Sequence, residues 1–460
     1  MNHAIDILRL RLDGVLDADG LRYDEASRIA YSYDNSRRSV LPDAVVLPTT
    51  IEQIAAVVAY CGELRVPVIA RGRGTNTTGA SVPVAGGIVV SCERMDRIID
   101  VDPDDRVAVV EAGVLNGDLQ AAAARHGLFW APDPTSASFC TVGGNLACNA
   151  GGPRAVKYGA SRDNTLALCC VDGRGVIHRL GSRTTKGATG YDLMRLVVGS
   201  EGTLALIGDA TLKLLPQPET VRTLRALYRD VETAAAAVAR LMRQPQVPCA
   251  LEFMDAEALR LARDIGGADI PSAGALLMIE VDGAEAAIAH AVAAVTAAAQ
   301  GEGLLRIDAA QSADEVARLW AARKALSPAL KHVAPKKINE DVVVPVSKLP
   351  ALVAKTRELA ATSGIAIVCF GHAGNGNLHV NLMFDPTDIA QSAQAPRVLS
   401  ELFATTLALG GTLSGEHGIG LDKRDFMPQA IAAPTLALMR AVKAQFDPFG
   451  ILNPGKLLPP

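Results

Sequence analysis

The sequence is poor in the features that mark several common classes of protein. Its 8 cysteines form no C-x-x-C pair and no regular spacing, which argues against a zinc ribbon and a secreted disulfide framework. The formal net charge is -4 and the basic residues are scattered, which argues against nucleic acid as a partner. No apolar run reaches the length of a membrane span, and charges interrupt the N-terminal apolar positions, unlike in a signal peptide. We therefore expect a cytoplasmic protein whose contact with the inner membrane, if there is one, is peripheral.

Length and apolar content predict two domains, because 460 residues that are 49% hydrophobic are too many for one ordinary core. The first half reads as strand, helix and strand, with Thr50 and Gln53 at capping-box spacing where the helix begins. Beyond Pro216 and Pro218 the chain alternates strands with Ala-rich helices, which favours an α+β domain with an antiparallel sheet. The predicted division is 1–217, 218–447 and a C-terminal segment, 448–460, that packs back towards the first domain.

Three clusters of glycine and small polar residues lie near strand ends in the first half: "RGRGTNTTGASVP", "TVGGNLACNAGG" and "VGSEGTLALI". Backbone N–H groups in such segments can approach a pyrophosphate without interference from Cβ. The first cluster fails the G-x-G-x-x-G pattern because Thr77 replaces the third glycine, and no P-loop motif is present. A simple turn explains each cluster alone, whereas three together favour a dinucleotide cofactor, and both interpretations stay open.

The segment "GHAGNGNLHVN" is a candidate metal site, since the chain has only 8 histidines. Strand geometry predicts His379 and Asn381 on one face, with His372 on a loop that leads into the strand. Further on, "SGEHGIG" supplies Glu416 and His417. Two imidazoles and a carboxylate suit Zn²⁺, Mn²⁺ or Fe²⁺, and the neighbouring histidine could then serve as a general base. The alternative is that the histidines bond buried backbone.

Arg323 and the pair Lys336 and Lys337 favour a substrate with a carboxylate, because a guanidinium matches carboxylate geometry. Three classes of function remain open on residue chemistry. A metallohydrolase would use metal-bound water. A redox enzyme would polarise a substrate oxygen beside a dinucleotide, and a structural metal protein would have no catalysis. The three glycine clusters favour the redox enzyme, since a hydrolase has no evident use for them.

Six segments in order, from about residue 40 to 457, resemble a known family: "VPVIARGRGTNTTGASVPVAGGIVVS", "TVGGNLACNAGG", "GSEGTLALI", "GHAGNGNLHVN", "SGEHGIG" and "FDPFGILNPGKL". They are similar to flavoproteins of the vanillyl-alcohol oxidase and p-cresol methylhydroxylase superfamily. Within it they resemble the branch of D-lactate dehydrogenase, D-2-hydroxyglutarate dehydrogenase and the flavin subunit of glycolate oxidase.

The resemblance implies an FAD-binding domain of two α+β subdomains and a cap domain that presents substrate to the flavin. Because Thr75 and its neighbours include no histidine to tether FAD, we expect the cofactor to be bound non-covalently. The cofactor-binding residues that the resemblance implies are Arg71, Gly72, Arg73, Gly74, Thr75, Asn76, Thr77, Gly79, Ala80, Pro134, Thr135, Thr141, Gly143, Gly144, Asn145, Ala150, Gly151, Glu201, Gly202, Ile207 and Asn453.

The resemblance also implies the roles of the second group of residues. A divalent metal, with Zn²⁺ expected first, would be bound by His372, His379 and Glu416. The remaining roles that it implies are His417 as the base, Asn381 near the substrate, Arg323 near a substrate carboxylate, and Lys337 in preference to Lys336 as a further contact.

The implied reaction is oxidation of a D-2-hydroxy acid to the 2-oxo acid, with hydride passing to the flavin N5. Electrons would then go to a quinone, a cytochrome or an electron-transfer flavoprotein. D-Lactate is the first expectation, because the first glycine cluster resembles that of the lactate and glycolate group. Arg323, Ser327 and Lys337 could together hold a second, distal carboxylate, which keeps D-2-hydroxyglutarate open as an alternative. Glycolate is a further alternative. The oligomeric state is open, a homodimer being one option.

Overall fold

The structure, a computed structural model, describes residues 3–267 and 269–460. Contacts within the chain define two compact units. The first holds the residues up to Gly151, Gly159–Gln217 and Glu416–Pro460, and the second holds Gly152–Tyr158 and Pro218–Gly415. One border thus falls at Pro218, whereas residues 416–447, which the sequence assigns to the second domain, group with the first unit. Within this grouping, the amide groups of Ile419 and Gly420 donate to the Glu201 carboxylate of the first unit.

The strands of the first unit form three sheets, with orders β1-β2-β4-β3, β5-β6-β10-β8-β9 and β11-β7. In the four-stranded sheet β2, β4 and β3 are parallel, and the five-stranded sheet is antiparallel throughout. The strands are β1 Leu21–Arg22, β2 Ala44–Val46, β3 Val68–Arg71, β4 Ile88–Ser91, β5 Ile98–Asp102, β6 Val107–Glu111, β7 Leu128–Phe129, β8 Thr165–Asp172, β9 Ile177–Gly181, β10 Ala205–Lys213 and β11 Leu215–Pro216.

The second unit is built on one seven-stranded antiparallel sheet with the order β15-β12-β14-β13-β17-β18-β16. Its strands are β12 Thr220–Tyr228, β13 Ala250–Asp255, β14 Ala275–Gly283, β15 Leu304–Ala309, β16 Lys336–Val343, β17 Ala366–His372 and β18 Asn377–Phe384. The predicted α+β class with an antiparallel second sheet is confirmed.

The helices are interspersed among the strands along the chain. They are α1 His3–Leu12, α2 Glu25–Ala30, α3 Ile51–Leu64, α4 Asn116–Ala124, α5 Val142–Cys148, α6 Ala155–Tyr158, α7 Met194–Val197, α8 Val231–Arg243, α9 Ala256–Asp264, α10 Glu285–Ala299, α11 Ala313–Ala329, α12 Leu349–Ser363, α13 Ile389–Ala408, α14 Met427–Ala430 and α15 Ala433–Phe446. Short 3₁₀ helices span Ser161–Asn164, Leu330–His332, Val346–Lys348, Ala373–Asn375 and Arg424–Phe426. Among the described helices none has both the length and the apolar character that crossing a membrane requires.

The predicted helix start at Thr50 is confirmed. The Thr50 hydroxyl accepts a hydrogen bond from the Gln53 amide at 3.3 Å, which satisfies one of the free N–H groups of the first turn. The Gln53 side chain departs from the strict capping box, since its Oε1 accepts from the amide of Thr49 at 2.7 Å.

One face of the seven-stranded sheet carries an apolar core shared with α9 and α11. Met254, Leu276, Met278 and Phe370 of the sheet belong to the same buried cluster as Leu326 of α11. Burial of such side chains contributes about 1.5–3 kcal/mol each. This core keeps α11 on the sheet, and with it the polar residues of that helix.

Replacement of Leu276 by Ala, at a position with 0% exposure, should lower the free energy of unfolding by about 2–5 kcal/mol, because it leaves a cavity under α9 and α11. The measurement is urea unfolding followed by circular dichroism. The control is Leu305→Ala in β15 of the same sheet, where Leu305 is 58% exposed, and we expect a change within about 0.5 kcal/mol. Equal destabilisation by both variants would contradict the assigned core.

Candidate functional site

The two histidines of "GHAGNGNLHVN" lie on adjacent antiparallel strands. His372 is the last residue of β17 and His379 lies in β18, and a tight turn through Ala373–Asn375 and Gly376 joins the strands. The prediction that His372 lies on a loop is therefore wrong, because the connection is too short for it to leave the sheet. Gly376 has a φ of +71°, and a Cβ there would meet the Val344 carbonyl oxygen at 1.9 Å. The ring centroids of the two histidines lie 5.2 Å apart in an edge-on arrangement.

Glu416 completes a group that could hold a metal ion. One donor atom each from His372, His379 and Glu416 lies within 4.8 Å of the others. Ligands about 2.1 Å from a tetrahedral Zn²⁺ are about 3.4 Å apart, so the three donor atoms would approach one another by at most about 1.4 Å to share one ion. The donor set and its burial thus fit a divalent cation.

Backbone contacts in the second unit explain the position of Glu416. The Asp341 carboxylate, in β16 and 0% exposed, accepts from the Gly415 amide at 2.9 Å and from the Ser414 hydroxyl at 3.0 Å. Because Glu416 follows Gly415 directly, its Cα lies about 3.8 Å from an anchored Cα. The two hydrogen bonds offset part of the free-energy cost of removing the charge of the Asp341 carboxylate from water.

A second buried carboxylate, Glu252 in β13, contacts both a predicted ligand and a predicted substrate residue. Its Oε1 lies 2.5 Å from Nδ1 of His372, and its Oε2 accepts from Nε of Arg323 at 2.8 Å. Burial alone would raise the pKa of Glu252, but His372 and Arg323 lower that pKa below its ordinary value. The Arg323 guanidinium also stacks over Phe370, with its carbon 4.7 Å from the ring centroid. Sequence reasoning missed Glu252, although an acid in the middle of the apolar run "ALEFM" was a usable signal.

The remaining predicted substrate residues lie on the same unit with different surroundings. The Nδ2 of Asn381 donates to the backbone oxygens of Val368 and His379, and among the described residues its buried Oδ1 has no hydrogen-bond partner. Lys337, in β16, donates to the Ser327 hydroxyl at 3.0 Å. Ser327 lies one helical turn along α11 from Arg323. Lys336, on the opposite face of β16, lies over the ring of Phe384 instead.

The first glycine cluster follows β3 in the first unit and is closely packed. Arg71 Nη1 donates to the Tyr33 carbonyl oxygen at 2.5 Å, and burial lowers the pKa of Arg71. A Cβ on Gly72 would lie 2.5 Å from Oγ1 of Thr141. The backbone of the first cluster therefore packs against the first residue of the second cluster, and only glycine fits between them. The side-chain oxygen Oδ1 of Asn76 accepts from the amides of Thr78 and Ala80 and rigidifies the turn.

Most of the second cluster is a helix and not a simple turn. Residues 142–148 form α5, because the Thr141 hydroxyl accepts from the Gly144 amide at 3.2 Å and provides an N-cap. Just beyond it, Ala150 accepts from the Ser161 hydroxyl and Gly151 accepts from the Asp133 amide. Pro134, next to Asp133, accepts from the Ala137 amide.

The third cluster joins the C-terminal segment within the first unit. The Nδ2 of Asn453 donates to the carbonyl oxygens of Ala80 and Glu201 at 2.8 and 2.6 Å. Burial raises the pKa of Glu201, although its carboxylate accepts from the amides of Ile419 and Gly420. The first cluster binds the residues just before Ile419, since Asn76 Nδ2 donates to the His417 carbonyl oxygen at 2.9 Å. The backbone of His417 is therefore held by the cluster that the sequence assigns to the cofactor.

Comparison with known proteins gives consistent matches over both units. The FAD binding domain family matches residues 42–181, and the C-terminal domain family of FAD linked oxidases matches residues 217–457. The chain is 38% identical to the glycolate oxidase subunit GlcD of Bacillus subtilis, over 94% of this chain and 92% of that protein. It is 36% identical to a D-lactate dehydrogenase of Archaeoglobus fulgidus over 95% of this chain and 98% of that protein.

A D-2-hydroxyglutarate dehydrogenase of Stutzerimonas stutzeri is 33% identical, with 96% of this chain and 95% of that protein covered. Among solved structures, p-cresol methylhydroxylase with substrate bound superposes with a TM-score of 0.82 at 16% identity, over 99% of this chain and 97% of that one. This last likeness concerns the fold alone. The resemblance read from the six segments is confirmed: the chain belongs to the FAD-linked oxidases of the vanillyl-alcohol oxidase and p-cresol methylhydroxylase superfamily, in the branch of glycolate oxidase, D-lactate dehydrogenase and D-2-hydroxyglutarate dehydrogenase.

Proposed function

We propose that this oxidoreductase oxidises a D-2-hydroxy acid, with D-lactate as the preferred substrate, and depends on a divalent cation as well as FAD. The observation that carries the proposal is the group of His372, His379 and Glu416, whose donor atoms lie within 4.8 Å of one another. The substrate class is supported by the names of the relatives, which are dehydrogenases or oxidases of small 2-hydroxy acids.

The residues proposed to bind FAD are separate from those proposed to bind the cation. FAD would be held non-covalently by the glycine clusters of the first unit and the cation by His372, His379 and Glu416. When bound, FAD supplies the acceptor for the Cα hydrogen and the cation supplies a Lewis acid for the substrate oxygens. Zn²⁺ is the expected ion on ligand chemistry, since two imidazoles and a carboxylate suit it well.

Arg323 is the anchor proposed for the substrate carboxylate. Its Nε is already bonded to Glu252, so the terminal nitrogens keep their fork of donors for a second carboxylate. The side chain is 9% exposed, and at that burial an ionic hydrogen bond is stronger than in water. Asn381 is proposed to accept a hydrogen bond through Oδ1, because its Nδ2 already donates to backbone oxygens.

His417 is proposed as the base that removes the hydroxyl proton of the substrate. It follows Glu416 directly in a segment that lies between Gly415 and Gly418, and we propose that Glu416 binds the cation while His417 faces substrate. Its backbone oxygen is held by Asn76, which limits the freedom of the segment. The electrons would finally leave to a quinone, a cytochrome or an electron-transfer flavoprotein.

His417→Ala should retain FAD and lose turnover of D-lactate by about 10²–10⁴-fold, the contribution of a positioned general base. The measurement is dye reduction at saturating substrate, with the flavin spectrum as the check on cofactor content. The control is His290→Ala on the exposed face of α10, which removes another imidazole and should leave turnover unchanged. Unchanged activity in His417→Ala would refute the assignment of the base.

Removal of the cation from the purified protein with a chelator should abolish activity without bleaching the flavin spectrum. Activity should return on addition of Zn²⁺ or Mn²⁺, because the residues that would hold FAD are separate from the three metal ligands. Metal content is followed by atomic emission. Full activity in protein that contains less than about 0.1 metal ion per chain would contradict a catalytic cation.

A second substrate, D-2-hydroxyglutarate, is favoured by one observation. Lys337 and Ser327 are hydrogen-bonded beside the helix that carries Arg323, and together these groups could bind a distal carboxylate. Lys337→Met should then raise KM for D-2-hydroxyglutarate by about 10–100-fold, the effect of one lost ionic hydrogen bond, and change KM for D-lactate little. Lys336→Met is the control, because Lys336 lies on the other face of the strand. A higher kcat/KM of the unmodified enzyme for D-2-hydroxyglutarate than for D-lactate would overturn the preferred substrate.

A further inference from the structure

Glu252 is a carboxylate where the local sequence calls for an apolar side chain. It lies in the central strand β13, between Leu251 and Phe253, and its side chain is 0% exposed. A buried charge of this kind is strongly unfavourable unless ionic or hydrogen-bonding partners compensate it. The ionised carboxylate of Glu252 therefore needs partners in the folded protein, and the structure has two.

The two partners come from different elements and have different chemistry. His372 is the register partner of Glu252 across β13 and β17, and its Nδ1 lies 2.5 Å from Oε1. Arg323 reaches the same carboxylate from α11, with its Nε 2.8 Å from Oε2. Each oxygen of Glu252 thus has its own partner.

We propose that Glu252 is a positioning residue that sets the tautomer of His372 and the aim of Arg323 at once. An ionised carboxylate can only accept, so the imidazole donates from Nδ1 and keeps the lone pair on Nε2 for a cation. The second oxygen holds Arg323 through Nε and turns its terminal nitrogens towards substrate. This inference rests on the proposed function, since it assumes both the cation and the substrate carboxylate.

The isosteric variant Glu252→Gln separates this role from mere filling of space. Arg323 can only donate, so the glutamine must present its oxygen to Arg323 and its NH₂ group to His372. The imidazole Nδ1 then has to accept, which moves the ring proton to Nε2 and removes the lone pair that a cation needs. The shape of the core is conserved while the tautomer is reversed.

The experiment is calorimetric titration of Mn²⁺ into metal-stripped, FAD-loaded protein. Glu252→Gln should raise the Mn²⁺ dissociation constant by about 10–100-fold, the usual effect of losing such a partner of a ligating histidine. It should also raise KM for D-lactate, while FAD content stays unchanged. The matched control is Glu280→Gln in the neighbouring strand β14, which removes a buried carboxylate bonded to Thr223 and Trp320 and should bind Mn²⁺ like the unmodified protein.

Equal Mn²⁺ affinity of Glu252→Gln and unmodified protein would overturn the positioning role and leave the proposed function intact. Absence of Mn²⁺ binding in the unmodified protein would instead sink the proposed cation and this inference together. If Glu252→Gln does not fold, ¹⁵N NMR of histidine-labelled, metal-stripped unmodified protein decides the matter. A ring proton on Nδ1 of His372 is the expected result, and a neutral ring protonated on Nε2 would refute the proposal.

Discussion

The candidate site depends on how charge is buried on one face of the seven-stranded sheet. Glu252 and Asp341 are both 0% exposed, and each would be costly without partners. Glu252 pairs with His372 and Arg323, and Asp341 binds the Gly415 amide and the Ser414 hydroxyl. The groups proposed to bind a cation and a substrate are thus arranged by the same contacts that make these two charges tolerable.

The apolar core beneath these groups has a complementary role. Leu326 of α11 packs with Met254 and Phe370 of the sheet, and this packing holds the helix that carries Arg323. Phe370 contacts the guanidinium of Arg323 as well, with the charged carbon 4.7 Å from the ring centroid. Packing and electrostatics therefore act on one side chain, which restricts it more than either would alone.

In the first unit, the glycine clusters are held by side-chain contacts to backbone groups. Asn453 donates to two carbonyl oxygens, and Lys456, whose pKa burial lowers to about 7, donates to the side-chain oxygen of Asn453. Glu201 accepts hydrogen bonds from the amides of Ile419 and Gly420. Such contacts satisfy backbone groups that irregular segments leave without secondary-structure partners, so that glycine-rich chain can be ordered.

Local sequence predicted the strand, helix and strand of the first half with the helix that begins after Thr50, the α+β class and the family, because periodicity, capping and ordered motifs are encoded by nearby residues. It also identified His372, His379 and Glu416 by type. Only the tertiary structure placed His372 in a strand and grouped residues 416–447 with the first unit. The role of Glu252 also emerged only from the tertiary structure, because its partners lie 71 and 120 residues along the chain. The sequence of a strand does not specify which strand will be its neighbour.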